Sequence, residues 1–222
     1  MNKLRTIVFL LFVSLVSTPS YAGSEDFGGV YIGVSGSAMG GELDGKYTDS
    51  SSEVTKGTGG FVESPIAGLD LGYNMALGES MVVGLGLSWT PGEAIIGKAD
   101  DFNDAADITL EASEFITYYI QPMIAVNEHS AIFFKYGEAE ADLKVTGDFT
   151  GAASNDLSGT TTSVGTVSKF ASGMYMQVEA GLTEYDTISV KDIGNAGNNG
   201  SKGDAEAEPS VAYGTVTIGY NF

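Results

Sequence analysis

The chain reads as an all-β protein, a transmembrane antiparallel up-and-down β-barrel of eight strands. Three observations lead there. Apolar and small residues alternate with period two in segment after segment, bulky residues crowd one face while Gly, Ser and Thr fill the other, and short connections take turns with long ones. Strand side chains alternate faces, so each segment has one apolar side and one small, polar side.

The first 22 residues stand apart. "MNKLR" is cationic, "TIVFLLFVSLVS" is an apolar run shorter than the roughly 20 residues a spanning helix needs, and "TPSYA" closes on small residues. Residues 1–22 are therefore expected to be a secretory signal peptide cut after Ala22, and residues 23–222 a single barrel domain. The chain has no cysteine, so an exported protein of this kind must hold together through backbone pairing and burial. Its 29 acidic and 10 basic residues give a net charge of −19, which argues against a nucleic-acid partner. The mean hydropathy is nevertheless slightly positive, so charge and apolarity are segregated along the chain.

The strands follow in order. Residues 27–39, "FGGVYIGVSGSAM", set Val30, Ile32 and Val34 against Tyr31, Gly33 and Ser35. A polar stretch precedes 66–77, "IAGLDLGYNMAL", where Leu69, Leu71, Tyr73 and Met75 oppose Gly68, Asp70, Gly72 and Asn74. The turn "GES" joins it to 81–90, with Val83, Leu85, Leu87 and Trp89 on the apolar side, so the two make a hairpin. An acidic connection leads to 115–126, "FITYYIQPMIAV", whose alternation outweighs the strand-breaking Pro122. "NEHS" turns into 131–137, "AIFFKYG", with Ile132, Phe134 and Tyr136 on one face and Lys135 on the other. Past Gly137 the apolar phase moves to Ala139, Ala141 and Leu143, which signals a bulge or an exit from the apolar band. After a long polar stretch, 160–170 carries the weakest pattern. Residues 174–182, "MYMQVEAGL", place Met174, Met176 and Val178 opposite Gln177 and Glu179. A Gly/Asn-rich loop then precedes the last strand, 210–222. Without 160–170 the count is seven; a barrel with both ends on one side needs an even number, so that segment is kept as a strand.

The polar face decides the surroundings. A watered strand face carries Lys and Glu, whereas Gly, Ser and Thr suit the inside of an eight-stranded barrel, which has room only for side chains. The bulky face then meets lipid, and closure removes the unpaired edges that lipid would penalise.

The ending "VTIGYNF" is the most specific feature. With it the chain resembles the small outer membrane β-barrels, the family of the outer membrane protein A transmembrane domain and its outer membrane protein X type relatives, over essentially the whole mature length. The resemblance implies an outer membrane location in a Gram-negative type of envelope, with outer membrane lipid as surroundings; a monomer is expected. It also implies that Val216, Ile218, Tyr220 and Phe222 form the signal read by the barrel assembly machinery.

Candidates for chemistry are few. Some barrels of this kind are enzymes that use a histidine base, but the one histidine, His129, falls in the "NEHS" turn, at the wrong end for outer-leaflet chemistry. Asp100, Asp101, Asp104 and Asp107 invite a calcium reading but fail the loop template, because Phe102 takes the third position and the turn glycine is missing. They read as hydrated acidic loop, as do Glu138, Glu140 and Asp142. No cofactor or metal is expected. Inside, Lys135 and Glu179 share the inward phase at similar distances from their turns, with Asp70 entering at a higher level, so the three form a candidate polar cluster of the lumen. The expected function is a noncatalytic barrel with a plugged lumen and acidic surface loops, supporting the outer membrane and recognising an outside ligand or surface. The alternative is a small porin-like channel for ions or small solutes.

Overall fold

Alternation along each segment becomes one closed antiparallel sheet. The computed structural model describes residues 23–48, 54–99, 108–147, 154–170, 172–194 and 202–222; the leader segment 1–22 and the cluster Asp100, Asp101, Asp104 and Asp107 lie outside the described residues. Among them the strands are β1 (Gly29–Thr48), β2 (Val54–Leu77), β3 (Met81–Ala99), β4 (Ile108–Asn127), β5 (Ser130–Gly147), β6 (Ser154–Lys169), β7 (Met174–Tyr185), β8 (Ile188–Gly194) and β9 (Lys202–Asn221). Neighbours pair in the order β1-β2-β3-β4-β5-β6-β7-β9-β8, and β1 also pairs with β9, which closes an eight-strand wall. The ninth strand, β8, continues the line of β7 against β9. Both ends of the described chain, the short turns 78–80 and 128–129, and residues 170, 172 and 173 lie at one end of the barrel, and the long hairpins rise from the other.

An apolar belt surrounds the half nearer the termini. Val30, Ile32 and Val34 of β1, Leu71 and Tyr73 of β2, Leu85 of β3, Ile120 of β4 and Val178 of β7 all point outward and are exposed. Strand β6 is the exception: its outward positions Thr162, Val164, Thr166 and Ser168 are mostly hydroxylic, which is why its sequence pattern was faint. No helix among the described residues is long and apolar enough to cross a membrane. The strands are the crossing elements.

These strands are longer than a bilayer requires. A tilted crossing takes about 9–11 residues, whereas β1, β4 and β9 have 20 residues each and β2 has 24. The described parts of the polar stretches 40–60, 97–112 and 144–159, expected as connections, are strand. The same holds for Lys191–Gly194, which belongs to β8 and not to a loop.

Strand β5 shows the physical reason. Its odd positions from Ala131 through Val145 are all buried, without a break in phase. Its even positions change instead: Ile132, Phe134 and Tyr136 give way to Glu138, Glu140, Asp142 and Lys144. The register with β6 runs unbroken from Ser130–Ser168 to Lys144–Ser154, so β5 has no bulge at Gly137. The irregularity belongs to β4, where Glu114 adopts a positive φ of 53° between the pairs Ser113–Asp142 and Ile116–Glu140. Beyond Gly137 the barrel wall leaves its apolar surroundings, and the polarity of its two faces is exchanged. Leu43, Leu110, Leu143, Val145, Leu157 and Val211 then form a second, inner apolar core, while carboxylates line the outside. Two lysines answer that charge directly. The hydrogen bonds from Lys46 Nζ to Glu206 (2.6 Å) and from Lys144 Nζ to Glu111 (3.0 Å) hold both ammonium groups above their ordinary pKa.

Prolines mark where the ladders stop. Proline has no N–H to donate. The β2–β3 ladder ends at Leu69–Trp89, just short of Pro91, and Pro65 removes a donor from the other strand. The β7–β9 ladder ends at Glu184–Ser210 and resumes as β8–β9 at Ile188–Ala207, with Pro209 in between. Pro122 occupies the gap between the β4–β5 pairs Ile120–Tyr136 and Met123–Phe133. Above the first two breaks the pairing continues in two groups, β8-β9-β1-β2 and β3-β4-β5-β6.

Candidate functional site

The lumen is filled in layers. At the terminal end a 3-10 turn, Ser24–Phe27, tucks Phe27 into the mouth of the barrel, where it joins Tyr31, Val82, Met123, Phe133 and Tyr175. The turn is tied down by Ser24 N donating to the Glu79 carbonyl (3.2 Å), by the Ser24 hydroxyl on the Gly78 carbonyl, and by Lys169 Nζ on the Asp26 carbonyl. Lys169 also reaches Asn221 Oδ1 at 2.9 Å, which links this plug to the last strand.

The next layer is charged. Lys135 Nζ lies 2.6 Å from Glu179 Oε2, and the two residues are only 4% and 5% exposed. Glu179 accepts from Gln177 Nε2 (3.0 Å) at the same oxygen and from Ser163 (2.7 Å) and Tyr213 (3.0 Å) at the other. A buried carboxylate needs this degree of satisfaction to offset its loss of water. Asp70 is not bonded to this pair. It accepts from the Tyr119 hydroxyl, which shares a 2.8 Å hydrogen bond with Tyr31. The Tyr119 ring lies 4.2 Å from Lys135 Nζ, close enough for a cation–π contact that joins the two halves of the cluster.

Sequence alone missed the aromatic members. Tyr31, Tyr119 and Tyr213 have inward phase, but a tyrosine also suits the edge of a lipid belt. Their signal is the inward glycines on neighbouring strands: a Cβ on Gly72 or Gly86 would overlap the Tyr31 and Tyr119 side chains, and one on Gly181 would overlap Tyr213. Only the strand register turns that into a signal. Beyond the charged layer lies a chamber of about 90 Å³ lined by hydroxyl groups, by Asp70, Lys135 and Glu179, and by the apolar Met39, Phe115, Ala139 and Val211, and the second apolar core follows.

The remaining candidates sit elsewhere. His129 lies exposed in the turn between β4 and β5, 3.6 Å from the Glu128 carboxylate. Glu138, Glu140 and Asp142 face outward above the belt. Val216, Ile218 and Tyr220 share the outward face of β9, and Phe222 is 72% exposed, its ring 4.9 Å from that of Tyr220. Phe222 contributes one backbone bond, from its N–H to the Val30 carbonyl (2.8 Å), so its side chain adds little to the wall. As a test of the assembly signal expected from the resemblance, deleting Phe222 should slow assembly in cells while leaving refolding in detergent intact. A normal assembly rate in cells would remove the assembly role of that residue.

No protein-family model and no curated protein sequence matches the chain. Solved structures do. The chain is similar to the outer membrane protein OprG of Pseudomonas aeruginosa, at 13% identity over 91% of this chain and 100% of that one, with a TM-score of 0.49. It is similar to the attachment invasion locus protein Ail of Yersinia pestis, at 12% identity over 86% and 99%, TM-score 0.44. It is also similar to the outer membrane protease OmpT of Escherichia coli, at 12% identity over 87% and 97%, TM-score 0.38. Similarities this distant carry no activity, substrate or partner across. On its own topology, with eight antiparallel strands closed into a wall and an apolar belt outside, the chain has the architecture of the small outer membrane β-barrels.

Proposed function

We propose that the protein is a noncatalytic outer membrane barrel, sealed along its lumen, that contributes to the membrane and holds an acidic extension outside it for adhesion or recognition. The observation that carries this reading is the stacking of an apolar plug around Phe27 and Phe133, the Lys135–Glu179 layer and a second apolar core in one lumen. A solute would have to push through both packed apolar layers and a buried ion pair, and eight strands enclose a space that side chains fill. In this orientation the termini and short turns face the periplasm, and the extension beyond Gly137 faces outward. Its outer surface, with Glu42, Asp44, Glu138, Glu140, Glu206 and Glu208, is what an outside partner would meet. His129 belongs to the opposite rim, where it and its neighbour Glu128 lie exposed in a turn, away from the acidic extension.

Purified, refolded protein inserted in a planar bilayer tests the sealed lumen. The expected record shows no steady conductance. A large, steady, reproducible conductance from the unmodified protein would replace this reading with that of a channel.

A further inference from the structure

The chamber beyond the charged layer has an unbalanced charge. Among the residues that line it, Asp70, Lys135 and Glu179 are the acidic and basic ones. Lys135 is committed to Glu179 at 2.6 Å, and both oxygens of Glu179 are filled by donors. Asp70, 4% exposed, has hydroxyl partners: Tyr119 donates to it and the Ser88 hydroxyl lies beside it. With both carboxylates ionised, two carboxylates and one ammonium leave one negative charge, carried by a side chain that is 4% exposed, and an unpaired buried charge is costly.

The walls supply what a small cation would take. The hydroxyls of Ser35, Ser88, Thr90, Thr117 and Thr215 face the same chamber as Asp70. A single free carboxylate with neutral oxygens around it balances one positive charge, which suits a hard monovalent ion, whereas a divalent ion would leave an excess positive charge in a buried site. No group of three or more His, Cys, Asp or Glu able to hold a metal occurs among the described residues. The wall also offers a way in, because the β2–β3 ladder stops at Leu69–Trp89 and the next residue, Thr90, lines the chamber.

We propose that the chamber binds one small monovalent cation of the sodium or potassium class, held by Asp70 and the surrounding hydroxyls, and that this ion completes the charge balance of the folded barrel. The inference rests on the reading of a sealed lumen. A conducting barrel would defeat that reading in the bilayer experiment, whereas the cation site is read separately, from stability.

The test uses residues 23–222 refolded in detergent micelles at mildly alkaline pH. The midpoint of thermal unfolding is followed as sodium or potassium chloride replaces choline chloride at constant ionic strength. Choline carries the same charge on a bulkier, methylated head. The expected result is a saturable rise of about 3 °C or more, lost in Asp70→Asn and kept in Asp44→Asn on the outer surface. Equal stability in choline and in both alkali salts would overturn the proposal. A rise that persists in Asp70→Asn would overturn it as well. Should Asp70→Asn fail to fold, Thr117→Val removes one neutral oxygen and is expected to raise the half-saturating cation concentration about tenfold. An unchanged midpoint concentration there would also contradict the site.

Discussion

Leu85→Arg is expected to cost the folded barrel about 2–4 kcal/mol, the penalty for a cation on the lipid face near the bilayer midplane. Leu85 is 61% exposed on the outward face of β3, paired with Tyr73 on β2 and Ile120 on β4, so its side chain is surrounded by the belt. Three positions along, Ser88 has the opposite phase and lines the chamber. Ser88→Ala removes one hydroxyl and is expected to cost no more than about 1.5 kcal/mol. Urea unfolding in lipid vesicles gives both values. Equal damage at the two positions would mean that the faces have been assigned wrongly.

The second large effect lies inside. Glu179→Gln keeps the shape of the side chain but removes the charge that Lys135 meets at 2.6 Å. Removing one partner of a buried ion pair leaves the other uncompensated and costs about 3–5 kcal/mol. The Tyr119 ring at 4.2 Å softens that loss without replacing a carboxylate. Lys135→Met in the same background should recover some of the stability, with a coupling of about 0.5–3 kcal/mol in a double-mutant cycle. Strictly additive effects would show that the pair, although in contact, is not an energetic unit.

The membrane half was legible because lipid outside and a narrow lumen inside impose opposite demands on alternate residues. That contrast appears in the sequence as Val30, Ile32 and Val34 against Tyr31, Gly33 and Ser35. Strand β6 shows its limit: with Thr162, Thr166 and Ser168 outward there is little contrast, and only the even count of strands kept it. The extension was hidden for a different reason. Once the wall enters water, carboxylates outside and scattered apolar residues inside resemble a polar loop, and β-strands of that kind are recognised only when Leu43, Leu110, Leu143 and Val211 are seen to meet. Proline had two meanings as well: Pro122 interrupts one ladder without ending its strand, whereas Pro209 accompanies the division of β7 from β8. In the lumen, phase put Lys135, Glu179 and Asp70 on the inside, but the link from Asp70 through Tyr119 to Tyr31 depends on register across β1, β2, β3 and β4, which no single strand reveals.

Along β5 one uninterrupted inward phase runs through a wall whose outside changes from lipid to water at Gly137. The chain has no cysteine, so single cysteines bearing a nitroxide can be placed along β5, one position at a time, in protein refolded into lipid vesicles. Collisions with oxygen report lipid, and collisions with a water-soluble paramagnetic complex report water. Positions 132, 134 and 136 should favour oxygen, positions 138, 140 and 142 the water-soluble complex, and the tolerated odd positions between 131 and 145 neither. An exchange of odd and even positions beyond 137, or oxygen contact continuing at 138, 140 and 142, would contradict the account.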